Sequence, residues 1–296
     1  GYFLSRNIWF LFERMEGKLL PITLFLMTCF FLVNPIWQIN GFRMWTAVHV
    51  FLYGLLPYLF DGKKRGLWIS VLSILVHFSM LVPVGVLAGY MLLGNRLNIF
   101  FIFFLLTFFV SEIDISAVNT FMENYAPEIL QERTDSYRSE TVIEADASEP
   151  ETRNWYIVWH RRALGWSVTG FLVLLFWKGR RFFKENNGWA CLFSFTLLFY
   201  GVANLLSHLP SGGRFTVIGE LCALALIILY IQNRPMEKMM KRFVYLAGPA
   251  LMLFLIVSIR VGFLYSSVAS ILGNSIVALF ISGEFVSLNN ILKSIL

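Results

Sequence analysis

The chain has 296 residues, of which 57% are hydrophobic, 17% aromatic and only 14% charged. A soluble domain carries about 25% charged residues, so this composition excludes an ordinary soluble fold. The net charge of +6 does not indicate nucleic-acid binding, because the basic residues follow the arrangement of membrane-flanking loops.

Repeated apolar runs predict an all-α, polytopic integral membrane protein with about ten transmembrane helices. The predicted spans are roughly 19–35, 44–60, 66–82, 83–94, 98–111, 163–178, 188–207, 216–232, 243–264 and 266–282. One helix over 66–94 would be too long for a bilayer of about 30 Å. We therefore divide it at Pro83, which can begin the next helix.

The spans fall into two groups separated by an acidic segment. Residues 1–111 form the N-terminal transmembrane helices, residues 163–282 the C-terminal ones, and residues 283–296 a tail. Residues 112–162 hold 11 of the 18 acidic residues, and we expect one long extracytoplasmic loop containing an amphipathic helix. Because Gly1 is not an initiator methionine, we expect the sequence to begin inside a longer protein.

Charge distribution predicts the orientation of the spans. Placing the start of the chain in the cytoplasm puts 16 of the 24 lysine and arginine residues inside, including all the lysines. The acidic segment and the short turns before Arg43 and before Arg214 then face outward. Every outward basic residue is an arginine: Arg43, Arg133, Arg138, Arg153, Arg161, Arg162, Arg214 and Arg260.

Outward arginines suggest an anionic ligand, because the planar guanidinium matches phosphate and carboxylate groups. Arg43 and Arg214 each follow glycines in a short loop at the mouth of a helix, where backbone can approach a ligand. They are the main candidates for binding phosphate. Arg260 lies near the outer end of its span and is a third candidate, although a structural ion pair is an equal alternative for it.

Ionisable residues inside predicted spans add two catalytic candidates, since charge in a bilayer usually faces a cavity or a partner. His77 follows Ser70 and Ser73 at helical spacing, which predicts one polar face near the outer end of its span. Glu220 lies six residues after Arg214, and here too a structural ion pair is an equal alternative.

Two further histidines are secondary candidates. His49 lies six residues after Arg43, on a different face of the helix, and we expect it to be buried and hydrogen-bonded. His208 lies in the outward turn before Arg214. We predict no metal site and no cofactor, because phosphate loops and metal-binding motifs are absent from the sequence. The cysteines, which all lie in apolar runs, are expected to be free core residues: Cys29, Cys191 and Cys222.

Together these residues predict an outward-open cationic cavity in a helical bundle. Its ligand should be anionic and, if it enters from the bilayer, lipid-borne. A lipid-linked pyrophosphate meets both requirements.

Several short motifs resemble the EpsG-type exopolysaccharide polymerases, which are relatives of the Wzy-like O-antigen polymerases. The motifs are Asn40-Gly41-Phe42-Arg43, the basic turn Gly62-Lys63-Lys64-Arg65, Val76-His77-Phe78-Ser79 before a proline, and Leu209-Pro210-Ser211-Gly212-Gly213-Arg214-Phe215. The likeness covers most of residues 1–110 and, more loosely, residues 188–280. The acidic segment has no counterpart in it.

The resemblance implies metal-independent glycosyl transfer on the outer face of the cytoplasmic membrane. The donor would be a glycan on undecaprenyl pyrophosphate and the acceptor a hydroxyl on the next lipid-linked repeat unit. Arg43, Arg214 and Arg260 would stabilise the leaving pyrophosphate, and His77 would act as base with Glu220 behind it. Expected partners are the lipid-linked glycan, membrane lipids and a regulator of chain length, but no nucleic acid.

Three alternatives remain open. A glycan ligase would use the same chemistry with another acceptor. A lipid-linked oligosaccharide flippase or transporter would also need an arginine-lined cavity, but with basic residues reaching both sides. A structural membrane protein would leave Arg43, His77 and Arg214 without a role.

Overall fold

The computed structural model describes residues 1–35, 37, 41–111, 154–207, 209, 212–234 and 237–265. All regular structure in these residues is helical, and a short 3-10 turn, Phe78–Met80, separates the fourth and fifth helices. The helices are α1 (Tyr2–Phe12), α2 (Pro21–Val33), α3 (Phe42–Asp61), α4 (Lys64–Val76), α5 (Leu81–Leu93), α6 (Leu97–Ser111), α7 (Trp155–Glu185), α8 (Asn187–Leu206), α9 (Gly213–Asn233) and α10 (Lys238–Tyr265).

The apolar helices make this a membrane protein. Among the described residues, three helices are long and apolar enough to cross a bilayer by themselves: α8, α9 and α10. Shorter apolar helices, α2, α5 and α6, accompany them. The count of about ten spans stays a prediction, because the last predicted span, 266–282, and the amphipathic helix lie outside the described residues.

Two helix limits differ from those predicted. The break between α4 and α5 lies at 77–80, so its predicted position at Pro83 is wrong. Pro83 lies in the first turn of α5, where its missing N–H removes no helical hydrogen bond. His77 has the extended conformation, with φ −153° and ψ 124°, and ends α4 instead. Helix α7 begins at Trp155, within the segment predicted to be extracytoplasmic.

Helix α1, which was not predicted, packs lengthwise on α3. Asn7 contacts His49 midway along the pair. Beyond the end of α1, Arg14 is hydrogen-bonded and ion-paired to Asp61, the last residue of α3. Arg6 therefore lies within a helix that packs on α3, near the level of His49. Its predicted place in a cytoplasmic segment is not supported.

The C-terminal ends of α3 and α9 lie at the same end of the bundle. At the end of α9, Gln232 donates to the carbonyl oxygens of Glu16 (2.8 Å) and Lys18 (3.0 Å). Asn233 donates to the carbonyl of Arg14, the residue whose side chain binds the end of α3. Helices α3 and α9 therefore run in the same direction, so their N-terminal ends share the opposite end of the bundle.

Helix α4 returns antiparallel to α3 through a close contact between two glycines. A β-carbon on Gly54 would lie 2.3 Å from the carbonyl oxygen of Gly66, and one on Gly66 would lie 2.3 Å from that of Gly54. Ser70 hydroxyl donates to the carbonyl of Phe51 at 3.0 Å, one turn further along. Small residues of this kind let membrane helices approach closely. The end of α4, at His77, thus reaches the level of the N-terminus of α3.

Candidate functional site

Arg43 is the second residue of α3 and its side chain is exposed. Gly41, two residues before Arg43, has φ +96°, a left-handed conformation that glycine adopts without a steric penalty. Gly41, at the N-cap, has no side chain that could occupy the N–H groups of the first turn, and such groups favour a bound anion.

Arg214 has the equivalent position on α9. It is the second residue of that helix, it is exposed, and the N-cap residue is again a glycine, Gly212. Gly212 N–H donates to the carbonyl of Leu209 at 2.8 Å, and a β-carbon on Gly212 would lie 1.6 Å from the carbonyl oxygen of Leu206. Only glycine fits at position 212, so packing in this turn is sufficient to explain Gly212.

His77 lies near enough to both arginines for their positive charges to act on its ring. It is half-buried in the turn outside both α4 and α5. Desolvation, and then the positive charges of Arg214 and Arg43, hold the pKa of His77 below its ordinary value. The packing of α4 and α9 relative to α3 places Arg43, Arg214 and His77 at the same end of the bundle, with two helix N-termini that favour negative charge. Their roles in binding and catalysis stay predictions.

The His77 ring has a defined hydrogen-bonding state. Its Nδ1 accepts a hydrogen bond from the Ser79 N–H at 3.2 Å, and the ring stacks on Phe78 with centroids 5.1 Å apart. In a neutral imidazole one nitrogen accepts and the other donates. With Nδ1 accepting, the hydrogen is on Nε2, so the remaining nitrogen is a donor. The predicted polar face with Ser70 and Ser73 is absent, because His77 is outside the helix and both serines are buried.

Glu220 belongs to a second charged group. It is buried, and its Oε2 lies 3.7 Å from a guanidinium nitrogen of Arg161, on α7. Another nitrogen of Arg161 donates to the carbonyl of Val33, the last residue of α2, at 2.9 Å. The structural ion pair considered for Glu220 is therefore present, and its partner is Arg161. The sequence analysis did not identify Arg161 as this partner, although the cost of burying an unpaired carboxylate favours a nearby cation.

Arg260 also lies in this second group. It donates a 2.5 Å hydrogen bond to the hydroxyl of Tyr156, and its guanidinium lies 5.3 Å from the centre of that ring. Tyr156 is in the first turn of α7, one turn and a half before Arg161. These contacts pair Arg260 with the first turn of α7, and its role in binding pyrophosphate stays a prediction.

His49 is buried and hydrogen-bonded, as predicted. Its Nδ1 lies 3.5 Å from the Asn7 amide nitrogen, and its Nε2 lies 3.2 Å from the amide of Asn34. His208, the other secondary candidate, is outside the described residues. Within the described ranges, no three histidine, cysteine, aspartate or glutamate side chains are grouped closely enough to hold a metal ion. The three cysteines are free.

The sequence profile of the EpsG family matches residues 4–282, which is nearly the whole chain. The chain belongs to the EpsG family. This is a family of exopolysaccharide polymerases, so membership indicates a polymerase-type function in polysaccharide biosynthesis. It confirms the resemblance drawn from the arginine and histidine motifs. No curated protein and no solved structure matches this EpsG-family chain.

Proposed function

We propose that this EpsG-family protein transfers a growing glycan from undecaprenyl pyrophosphate to a lipid-linked repeat unit at the outer face of the cytoplasmic membrane. The observation that carries the proposal is the convergence of Arg43, Arg214 and His77 at one end of the bundle. Two guanidinium groups at two helix N-termini, each with a glycine at the N-cap, suit a pyrophosphate, which carries several negative charges. The opposite end holds Lys63 beside Asp61 and Arg14.

The reaction is a substitution at the anomeric carbon of the donor glycan. The hydroxyl oxygen of the acceptor forms a bond to that carbon, and the bond from the carbon to the pyrophosphate oxygen breaks. The acceptor proton passes to the departing pyrophosphate or to water. Arg43 and Arg214 stabilise charge as it develops on the pyrophosphate, the usual largest contribution in such sites. Metal independence stays a prediction.

His77 contributes as a hydrogen-bond donor while Ser79 occupies its Nδ1. Nε2–H would then add a third donor to the pyrophosphate beside the two arginines. The base role predicted for His77 requires the Ser79 hydrogen bond to open and expose a lone pair. Glu220 and Arg260 have a different role here. They order α7 against α9 and α10 through Arg161 and Tyr156.

A ligase or a transporter remains the alternative. A ligase would share the pyrophosphate site and differ in its acceptor. A transporter has less support, because an arginine pair at one end of the bundle does not provide a binding path to the other. The regulator of chain length stays a prediction.

Replacing the two arginines by lysine tests the phosphate role. Arg43→Lys and Arg214→Lys retain the charge but lose the planar fork, so each should reduce long-chain polysaccharide about tenfold or more in cells with normal protein levels. The matched control is Arg181→Lys, an exposed residue whose pair with Glu185 a lysine can keep. Near-normal polymer in both site variants would make these arginines ordinary topology signals.

A further inference from the structure

A cavity of about 510 Å³ lies between the turn that joins α5 to α6 and the connection that joins α7 to α8. This volume is within the range of about 300–1,000 Å³ that small-molecule sites have. The polar and charged residues of its lining come from both connections and are Asn95, Arg96, Asn98, Lys184, Glu185 and Asn187.

The cavity lies at the end of the bundle opposite Arg43 and Arg214. Trp189, in the first turn of α8, packs edge-on against Phe60 near the end of α3, with ring centroids 5.1 Å apart. A β-carbon on Gly188 would lie 2.1 Å from the carbonyl oxygen of Phe60. The connection from α7 to α8 is therefore beside the C-terminal end of α3, on the side that the charge distribution predicts to be cytoplasmic.

Hydrogen bonds of Asn95 hold the two walls of the cavity together. Its amide oxygen accepts from the hydroxyl of Tyr90, on α5, and its amide nitrogen donates to the sulfur of Cys191, on α8, at 3.2 Å. The Tyr90 hydroxyl also lies 3.3 Å from the carbonyl oxygen of Cys191. The start of α6 is thereby fixed beside the start of α8, and the charged side chains of both walls border one space.

Positive charge exceeds negative charge in this lining. Arg96 and Lys184 have no acidic partner among the described residues, and Arg96 donates from Nε to the carbonyl of Leu93 at 3.3 Å. The carboxylate of Glu185 lies 3.4 Å from Nε of Arg181, which offsets its charge. Helices α6 and α8 both begin at the cavity, and helix N-termini favour negative charge. The ligand that fits this lining is an anion.

The surface beside the cavity has the character of a membrane interface. Ile99 is part of the lining and is exposed, and the exposed side chains of Ile102 and Leu106 continue the same apolar face along α6. Trp177 is exposed on α7 two turns before Lys184, and tryptophan followed by basic residues is typical of the headgroup level of a bilayer. A soluble anion would leave this apolar face unused, whereas a lipid covers it.

From this arrangement we infer that the cavity binds the phosphate headgroup of an anionic phospholipid from the cytoplasmic leaflet. Arg96 and Lys184 pair with the phosphate, and the amides of Asn98 and Asn187 bind hydroxyls of the headgroup. An acyl chain lies along the α6 face that begins at Ile99. The bound lipid joins the α5–α6 turn to the α7–α8 connection and stabilises the fold. The site is independent of the proposed polymerase reaction, which uses the other end of the bundle.

The test is a titration of the full-length protein, in an uncharged detergent, with phosphatidylglycerol and with phosphatidylcholine of the same acyl chains, read by native mass spectrometry. Wild-type protein should retain phosphatidylglycerol about tenfold more tightly. Neutralising one cation should weaken this retention about fivefold, and Arg96→Gln with Lys184→Gln together about thirtyfold. The matched control is Lys64→Gln with Arg65→Gln, exposed residues of α4 at the same end of the bundle and outside the lining, which should retain the lipid as wild type does.

The remaining outcomes distinguish the site from general charge attraction and from a soluble ligand. Equal losses in the two double variants, or equal retention of the two lipids by wild type, would overturn the site. Glycerol phosphate should displace phosphatidylglycerol only at a concentration about a hundredfold higher or more, because it lacks the acyl chains. Displacement at equal concentration would assign the cavity to a soluble phosphate and overturn the lipid. Lys184→Gln alone removes no hydrogen bond or ion pair among the described residues, so its fivefold loss tests the site even if Arg96→Gln disturbs folding.

Discussion

At the scale of single residues, the His77 ring is the point where hydrogen bonding changes the predicted chemistry. The Ser79 N–H bond assigns a donor to Nε2, whereas the sequence suggested a base. His77→Gln keeps a donor, so it should retain at least about a tenth of the rate at which lipid-linked units are joined. His77→Phe removes the donor and should lose more than that. Single-turnover rates with both variants provide the measurement.

The pH profile separates the two roles further. Burial and the neighbouring arginines keep the pKa of His77 below its ordinary value, so the ring is neutral at pH 7 and gains a proton only under acid conditions. A donor works in both forms, but a base fails once protonated. An acid limb that disappears in His77→Gln, together with a loss of about a hundredfold at pH 7, would restore the base role.

Glu220 and Arg161 test whether a buried charge is structural. Glu220→Leu removes the carboxylate that pairs with Arg161, so we expect a clear fall in thermal unfolding temperature. Adding Arg161→Leu removes the stranded cation and should recover a large part of that loss. The readout is a double-mutant cycle on protein in detergent. A stable but inactive Glu220→Leu protein would instead place Glu220 in the chemistry.

At the scale of the helices, the α3–α4 contact sets the position of His77. A β-carbon on Gly66 would meet the Gly54 carbonyl at 2.3 Å, so Gly66→Ala must push the two helices apart. The displacement should lower polymer formation about tenfold or more, since misplacement by about 1 Å can cost a hundredfold. Polymer length on gels provides the measurement. The control is Gly89→Ala on α5, where a new β-carbon meets nothing within 4 Å.

Most helices could be predicted from sequence because long apolar runs have few alternatives in a bilayer. The position of the α4–α5 break could not, since a proline is tolerated in the first turn of a helix and marks its start only loosely. Helix α1 was missed because Arg6 and Asn7 interrupt its apolar pattern. The burial of Asn7 against His49 is a tertiary contact that the local pattern does not contain.

The candidate site was predictable in part for a similar reason. Arg43, Arg214 and His77 were identified by residue type and by sidedness, and the helix packing places them at one end of the bundle, while their roles stay predictions. Arg161 was not identified as the partner of Glu220, because the two residues are 59 positions apart and pairing across helices leaves no periodic signal in the sequence. The contact of Arg260 with Tyr156 was not predicted for the same reason, since it spans 104 positions.

At the scale of the whole molecule, the two ends of the bundle have different chemistry. One end is closed by Gln232, Asn233 and the linker before α2, which they bind through backbone carbonyls. The other has the exposed guanidinium groups of Arg43 and Arg214 at two helix N-termini. This polarity is the arrangement expected for a one-sided reaction on a lipid-borne anion.

The most direct measurement is therefore the joining of purified lipid-linked repeat units by the full-length protein in detergent. Detergent leaves no second compartment, so transport cannot contribute to the product. Wild-type protein should form glycans of two or more units, and the double variant Arg43→Lys, Arg214→Lys should form at most about a hundredth as much while remaining folded. Wild-type protein that leaves the units unjoined, although it binds them, would contradict the polymerase and favour the transporter.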